Sequence, residues 1–434
     1  MELTRLAELA RQDAGRKFYS IAHWLTTEAL WEAFDNLRKD AAAGVDGVTC
    51  AEYEEHLVEN LGKLHEKLKS KTYRAQPLRR IYIDKEDGRK RPISIPSLED
   101  KIVQRATVEL LNAIFEQDFL DCSYGFRPGR SAHDALDEVG RVICRGPTEY
   151  VLELDISSYF DSIVRKQLME MVERRVSDAS ILRLIGKWIN IGVVDDGRLL
   201  TSETGTGQGQ IISPLLANIY LHHVLDVWFE EEVKPRLRGK AFEIRYADDG
   251  LLCFQFKEDA ERVLEVLPKR FAKYGLTLHP EKTRLVKFGR SAYYQAKRTK
   301  TKTATFDFLG FTHRCATSRA GKFAMHVSTM KKPPAARAAC HRRVVSRTSA
   351  HAIGIPAADA QRETARPLPV LRPSDELSQS AEVRPRGPPH LASVAGSQAA
   401  RKGPPLAALQ SHPSALSLVA PAHHACLASF ASRA

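Results

Sequence analysis

Phe242-Glu243-Ile244-Arg245-Tyr246-Ala247-Asp248-Asp249-Gly250-Leu251-Leu252-Cys253-Phe254 reads as two apolar strands joined by a turn that carries adjacent carboxylates. Bulky and aromatic residues on either side favour extended chain, and Asp-Asp-Gly favours reversal. Taken alone, the segment is an ordinary Asp-Gly turn. It gains meaning from Val151-Leu152-Glu153-Leu154-Asp155, a second apolar run ending in an acid, about ninety residues earlier. Acids at the ends of separate strands form the oxygen set that a pair of hard cations requires. Such ions stand about 4 Å apart and clamp the attacking and leaving oxygens of a phosphoryl transfer.

Working outward, Leu78 to Asp84 and Arg91 to Ile95 flank Lys85-Glu86-Asp87-Gly88, the pattern of a hairpin with a Gly turn. Helical periodicity, with Leu and Trp on one face, runs through Glu28 to Asp40 and Ala51 to Lys71. Lys101 to Phe119 reads as a long amphipathic helix, and Ser213 to Glu231 and Lys257 to Tyr274 as two more. Strands and helices alternate irregularly, so the expected class is α+β rather than a doubly wound sheet.

The 434 residues carry 65 Lys+Arg against 53 Asp+Glu, a net charge of +12 that favours a polyanionic partner. Charge is unevenly spread. From Pro333 to Ala434 there are 12 Lys+Arg and 5 Asp+Glu, so +7 lies there and +5 in the preceding 332 residues. That last stretch holds 24 Ala, 13 of the 22 Pro and a single aromatic, Phe430, too little large apolar area to offset the entropy of ordering. Disorder is expected from residue 333 on. No run of eighteen apolar residues and no apolar leader core appears, so neither a membrane span nor secretion is expected. Seven scattered cysteines without a CxxC pair point to a reducing cytoplasm and no zinc site.

Asp155 with Tyr159-Phe160-Asp161, then Gly205-Thr206-Gly207-Gln208-Gly209-Gln210-Ile211-Ile212-Ser213-Pro214-Leu215-Leu216-Ala217-Asn218-Ile219-Tyr220-Leu221, then Tyr246-Ala247-Asp248-Asp249, resembles in order and spacing the blocks of group II intron reverse transcriptases. Flanking blocks agree, among them Arg91-Pro92-Ile93-Ser94-Ile95-Pro96, Tyr124-Gly125-Phe126-Arg127-Pro128-Gly129-Arg130-Ser131 and Phe306-Asp307-Phe308-Leu309-Gly310-Phe311. The resemblance covers roughly residues 20–330.

The resemblance implies a right-hand polymerase, with an N-terminal extension and fingers over 1–130 and a palm over 131–330. By it, Asp155 and Asp248 are the principal ligands of two Mg²⁺ ions, replaceable by Mn²⁺, and Asp249 completes the acidic cluster. Lys85 and Arg91 match positions that hold the incoming triphosphate, as cations near a polyphosphate should. Tyr159 and Phe160 fall where an aromatic packs under the nucleotide sugar, although an aromatic pair after a strand is more often core. Gln208 matches a glutamine beside the nucleotide, and Lys282 a basic position near primer and template phosphates. The family usually has Pro where Gly207 stands and a small residue where Gln210 stands. Implied partners are dNTPs, an RNA template with a DNA primer, and group II intron RNA in a ribonucleoprotein, in the cytoplasm or on the nucleoid. His279 and His313 have no metal-ligand spacing and receive no role.

Family members continue into a basic helical thumb, the maturase region. Past Lys332 no such periodicity exists, so residues 333–434 are expected to replace thumb and maturase domain with an Ala/Pro-rich tail of the kind a shifted reading frame produces. Two other readings stand beside the polymerase: an RNA-binding splicing cofactor, against which the lost thumb argues, and an inactive remnant of a mobile element, which the tail supports. The complete set Asp155, Asp248 and Asp249 favours the polymerase.

Overall fold

The computed structural model describes residues 2–84 and 90–330. Lys85, the expected Lys85-to-Gly88 turn and the expected tail at 333–434 lie outside the described residues. Within them the chain is a mixture of helices and sheets. Among the described residues, no helix is long and apolar enough to cross a membrane.

Helices α1 (Glu2–Gln12), α2 (Thr27–Asp35), α3 (Cys50–Glu54) and α4 (Leu57–Lys69) precede a central helix, α5 (Leu98–Phe115), against which α1 and α2 pack. Capping decides several boundaries. Thr26 accepts from Ala29 N at the start of α2, and Thr49 with Glu52 forms a capping box on α3. The helix expected over Ala51 to Lys71 is interrupted at Glu55 and His56, and the one expected over Glu28 to Asp40 stops at Asp35. Helix α5 begins three residues before the periodicity indicated, because Ser97 caps it through Asp100 N. It is also not amphipathic in its surroundings: Asp100, Lys101, Gln104 and Thr107 are buried alongside Ile102, Val103, Leu111 and Ile114. Those polar side chains find partners inside, Gln104 among them.

Strands β1 (Leu78–Asp84) and β2 (Lys90–Ile95) pair antiparallel as expected, with Ile83 opposite Arg91. The sheet is extended by β4 (Val193–Asp195), parallel to β1, and β5 (Arg198–Leu200), giving the order β2-β1-β4-β5. Asp196 and Gly197, both at positive φ, make the tight β4–β5 turn.

The sheet that carries the acids is built from β3 (Tyr150–Leu154), β6 (Ala241–Tyr246), β7 (Asp249–Phe254) and β8 (Arg284–Lys287), all antiparallel in the order β6-β7-β3-β8. Both of its faces are covered. Leu152, Leu252 and Phe254 point into the main core, and Val151, Leu251 and Cys253 into a second core under α6 (Ala132–Cys144). Two buried faces are the reason these strands read as unbroken apolar runs instead of alternating ones.

Short helices α7 (Tyr159–Ser162) and α8 (Arg165–Val172), then α9 (Ala179–Ile189), α10 (Ser213–Leu221) and α11 (Lys257–Ala272), complete the main core. That core runs from Leu6 to Leu276 and draws on both sides of residue 130. The helix expected over Ser213 to Glu231 is α10 followed by wider π-type turns over His222–Asp226 and Trp228–Val233. Helix α12 (Arg290–Thr299) and a three-stranded sheet of β9 (Thr305–Phe308), β10 (Phe311–Thr317) and β11 (Phe323–Thr329) follow.

Candidate active site

Strand register brings the acids together. Leu154 of β3 pairs with Gly250 of β7, so the next residue of one strand and the preceding residue of the other, Asp155 and Asp249, emerge at the same end of the sheet. Asp248 occupies the turn between β6 and β7, which closes with Tyr246 opposite Asp249. The turn is tight enough to hold Ala247 at φ +57°, a conformation that costs a non-glycine residue about 1 kcal/mol or more.

Arg245 sustains that turn from below. It is 1% exposed, and its five N–H groups meet five acceptors. Nε and Nη2 form a bidentate pair with Asp226 (2.7 and 2.6 Å), Nη1 donates to Asn218 Oδ1 (3.1 Å) and to Ala247 O (2.9 Å), and Nη2 also donates to Ser123 Oγ (2.8 Å). Asn218 passes the constraint on by donating to Gly125 O at 2.7 Å. Gly125 lies so close that a Cβ there would stand 2.4 Å from Ala247 N. The turn that carries Asp248 is thus wedged between a buried guanidinium and a backbone that tolerates no side chain.

Beside Arg245, ligand atoms of Cys122, Asp226 and Glu243 lie within 4.8 Å of one another. This group has the make-up of a cation site, but a cation already sits on Asp226: the Arg245 guanidinium. Burial, and then the charge of Asp226, hold the Glu243 carboxyl well above the usual carboxylate range. Glu243 is thus held toward its protonated form, beside the ion pair of Arg245 with Asp226.

At the acid end itself the balance differs. Crowding by protein atoms, with Asp248 and Asp155 adding to it, pushes Asp249 up to about 6. Burial also lifts Asp248, helped by Asp155 and opposed by Arg91 and Arg245. Lys282 stands beside the acids. It precedes β8, which pairs with β3, and its Nζ lies 2.7 Å from Asp155 Oδ2. Three carboxylates at one strand end, with an ammonium against one of them, form a hard oxygen cluster that gains from a divalent cation.

Facing the acids are Arg91 and Gln208. With the amide turned so that its oxygen faces the guanidinium, Gln208 accepts from Arg91 Nη2 (2.6 Å) and Nε (3.2 Å) and donates to Pro92 O (3.2 Å). The loop carrying Gln208 lies along β2: Ser94 N donates to Gln208 O at 2.7 Å, and a Cβ on Gly209 would reach 2.5 Å from Ser94 O. Gly207 and Gln210, where the resemblance leads one to expect a proline and a small residue, lie against each other. A Cβ at Gly207 would stand 2.8 Å from Gln210 Nε2. Gln210 is buried, accepting from Gln104 Nε2 (3.0 Å) and donating to Trp188 O (3.1 Å). Gln104 Oε1 in turn accepts from Ile211 N at 2.9 Å, so side chains supply the stiffness that a proline would.

Tyr159 is 3% exposed and donates its hydroxyl to Ala217 O at 2.6 Å, the placement of a core residue. Its neighbour Phe160 is half-buried at the edge of the same core. Sequence reasoning missed Arg245, Asp226 and Asn218. A charged residue in the apolar run Phe242–Phe254 and an amide within Leu215-Leu216-Ala217-Asn218-Ile219 are the marks they leave in the sequence.

The acids thus gather at one end of an antiparallel sheet, facing a basic strand and a glycine loop. Residues 83–313 match the family of reverse transcriptases (RNA-dependent DNA polymerases), and the chain belongs to it. It is 42% identical over 207 residues to protein YkfC of Escherichia coli, covering 47% of this chain and 53% of that one. To the group II intron-encoded protein LtrA of Lactococcus lactis subsp. cremoris it is 31% identical over 302 residues, 67% of this chain and 50% of the other. A stretch of 198 residues is 37% identical to an uncharacterized 91 kDa protein in a cob intron of Schizosaccharomyces pombe, 46% of this chain and 24% of that one. The chain spans about half the length of the first two relatives.

Proposed function

We propose that this chain is an RNA-directed DNA polymerase of the group II intron type, adding dNTPs to a primer 3′ end on an RNA template. The observation that carries this reading is the convergence of Asp155, Asp248 and Asp249 at one end of a four-stranded sheet, opposite Arg91 and Gln208. On this reading the sheet β6-β7-β3-β8 is the palm, and the sheet of β1 and β2 belongs to the fingers, joined by the β4–β5 hairpin from later in the chain. Two Mg²⁺ ions, or Mn²⁺ in their place, would be held by the three carboxylates and would supply Lewis-acid activation of the primer hydroxyl and the α-phosphate.

The protein's own groups do the rest. Arg91, oriented by Gln208, offers a guanidinium to the triphosphate, and Lys85 is assigned beside it from the sequence. Phe160 provides the surface under the sugar. Lys282 neutralises Asp155 until substrate and metal arrive. Primer and template contact the same acid end, with group II intron RNA as the larger partner in a ribonucleoprotein.

Primer extension on an RNA template with Mg²⁺, comparing wild type with Asp248→Asn, tests the activity directly. Arg91→Ala is expected to raise the dNTP KM about tenfold or more, since a charge-assisted hydrogen bond contributes about 1.5–3 kcal/mol and 1.4 kcal/mol is tenfold. Primer-template affinity, measured by anisotropy, should stay within about twofold. Equal losses in both would move Arg91 to the template path. Phe160→Val should relax discrimination against ribonucleotides, read as the ratio of kcat/KM for dNTP and rNTP. Tyr159→Phe, by contrast, should leave that ratio alone and lower stability by about 1 kcal/mol, the value of one buried hydrogen bond.

A further inference from the structure

A cavity of about 350 Å³ opens between the N-terminal segment, α4 and α9, sharing no residue with the candidate active site. Its lining holds His23, His65, Lys69, Lys71, Arg183 and Lys187, and no Asp or Glu. Leu25, Leu68 and Leu184 supply its apolar wall. The partners these cations do have are neutral. Lys187 donates to Tyr73 O and lies over the Tyr73 ring. Arg183 donates to Ala179 O (3.1 Å) and reaches Ser180 Oγ (3.4 Å). Asp178 sits behind the wall, but its oxygens are taken by the N–H groups of Ile21, Ala22, Ser180 and Ile181. Glu28 feels His65 only from outside the lining.

Lys69 and Lys187 have an ordinary explanation, because each lies in the last turn of its helix, where the dipole favours a cation. Lys71 and Arg183 have none. Lys71 adopts φ +63° just past α4, a position where glycine is free of strain and lysine is not. Four permanent cations in one concavity repel each other, and a polyanion relieves that repulsion. The apolar wall adds a second requirement: the anion should bring a flat apolar part with it. The volume lies in the range of small-ligand sites, about 300–1,000 Å³.

We propose that this cavity is a second nucleic-acid contact, taking one nucleotide of a single-stranded RNA, its phosphate on Lys69, Lys71 and Arg183 and its base against Leu25 and Leu184. The choice of RNA among polyanions rests on the polymerase reading above.

The test uses the full chain and a fluorescein-labelled single-stranded oligoribonucleotide of about twelve nucleotides, followed by anisotropy across a salt series. The triple variant Lys69→Ala, Lys71→Ala, Arg183→Ala should weaken binding about tenfold or more. It should also flatten the slope of log K against log salt by about 0.7, the value of one lost phosphate contact on a single strand. Extension of a saturating, preannealed primer-template should remain within about twofold. Lys71→Gly, which removes a charge while suiting the positive φ, should weaken binding without lowering Tm, and Lys69→Arg should bind as wild type. Unchanged affinity and salt slope in the triple variant would overturn the proposal. Equal binding of a poly-glutamate of matched length, lost in the same variants, would overturn the assignment to RNA. Asp248→Asn separates the two readings: extension lost with oligonucleotide binding kept supports both. Extension kept in Asp248→Asn removes the polymerase reading, and with it the choice of RNA, whatever the cavity variants do.

Discussion

Asp155→Asn and Asp248→Asn are each expected to lower single-turnover dNTP incorporation on an RNA template by about a hundredfold or more, with Tm nearly unchanged. An asparagine keeps the shape of the side chain and removes the charge that develops its value only when the attacking oxygen and the leaving phosphate both carry negative charge. Stability should be spared for a reason specific to this site. Desolvation by surrounding protein atoms lifts the proton affinity of Asp248 and Asp249, and Asp155 adds to both, so neutralising Asp155 or Asp248 relieves repulsion. The Asp155–Lys282 pair is half-exposed on the lysine side and contributes little. Chelation should abolish extension in the wild type and restored Mg²⁺ should recover it. Two variants that both extend primers at near wild-type rates would remove Asp155 and Asp248 from the site.

Arg245→Met should be the most destabilising single change near the site, by about 3–5 kcal/mol, because it leaves Asp226 at 0% exposure without its cation. It also leaves Ser123, Asn218 and the Ala247 carbonyl without their donor. Arg245→Met with Asp226→Leu should recover much of that loss, since the charge that cannot be solvated is gone. Urea midpoints of the wild type, both single variants and the double variant give the coupling free energy as a cycle. Additive losses would show that Arg245 acts by packing alone. Even a stable double variant should extend primers poorly, because Nη1 of Arg245 fixes the carbonyl at the heart of the turn that aims Asp248.

How much of this is visible in the sequence follows from the range over which each interaction acts. The hairpins β1–β2 and β6–β7 are local: apolar runs separated by turn residues announce them, and their pairing follows as expected. Cluster membership of Asp155 and Asp248 was readable because two strand ends and a family order point the same way. Helix α5 was found but misjudged in character, since periodicity does not reveal that its polar face is also covered. Strands β4 and β5, three residues each, carry no periodicity to read, though Asp196-Gly197 marks their turn. The position of Lys282 depends on β8 finding β3 across 127 residues of chain, and no local pattern encodes that encounter. Tyr159 and Phe160 were indistinguishable until α7 turned one of them inward.

Gly207 and Gln210 bear on each other closely enough to limit what can replace either. A proline introduced at 207 alone would place carbon against Gln210 and against Leu78, whose Cδ1 would stand 2.6 Å from a Cβ at that position. A small residue introduced at 210 alone would strip Trp188 O and Gln104 of a buried partner and leave a void beside the glycine. The glycine side of the pair can yield, because Gln210 Nε2 and Leu78 Cδ1 are the free ends of side chains, whereas the buried Gln210 amide cannot be dropped without orphaning its partners. A grafted loop should therefore be better tolerated when Gln210 is kept.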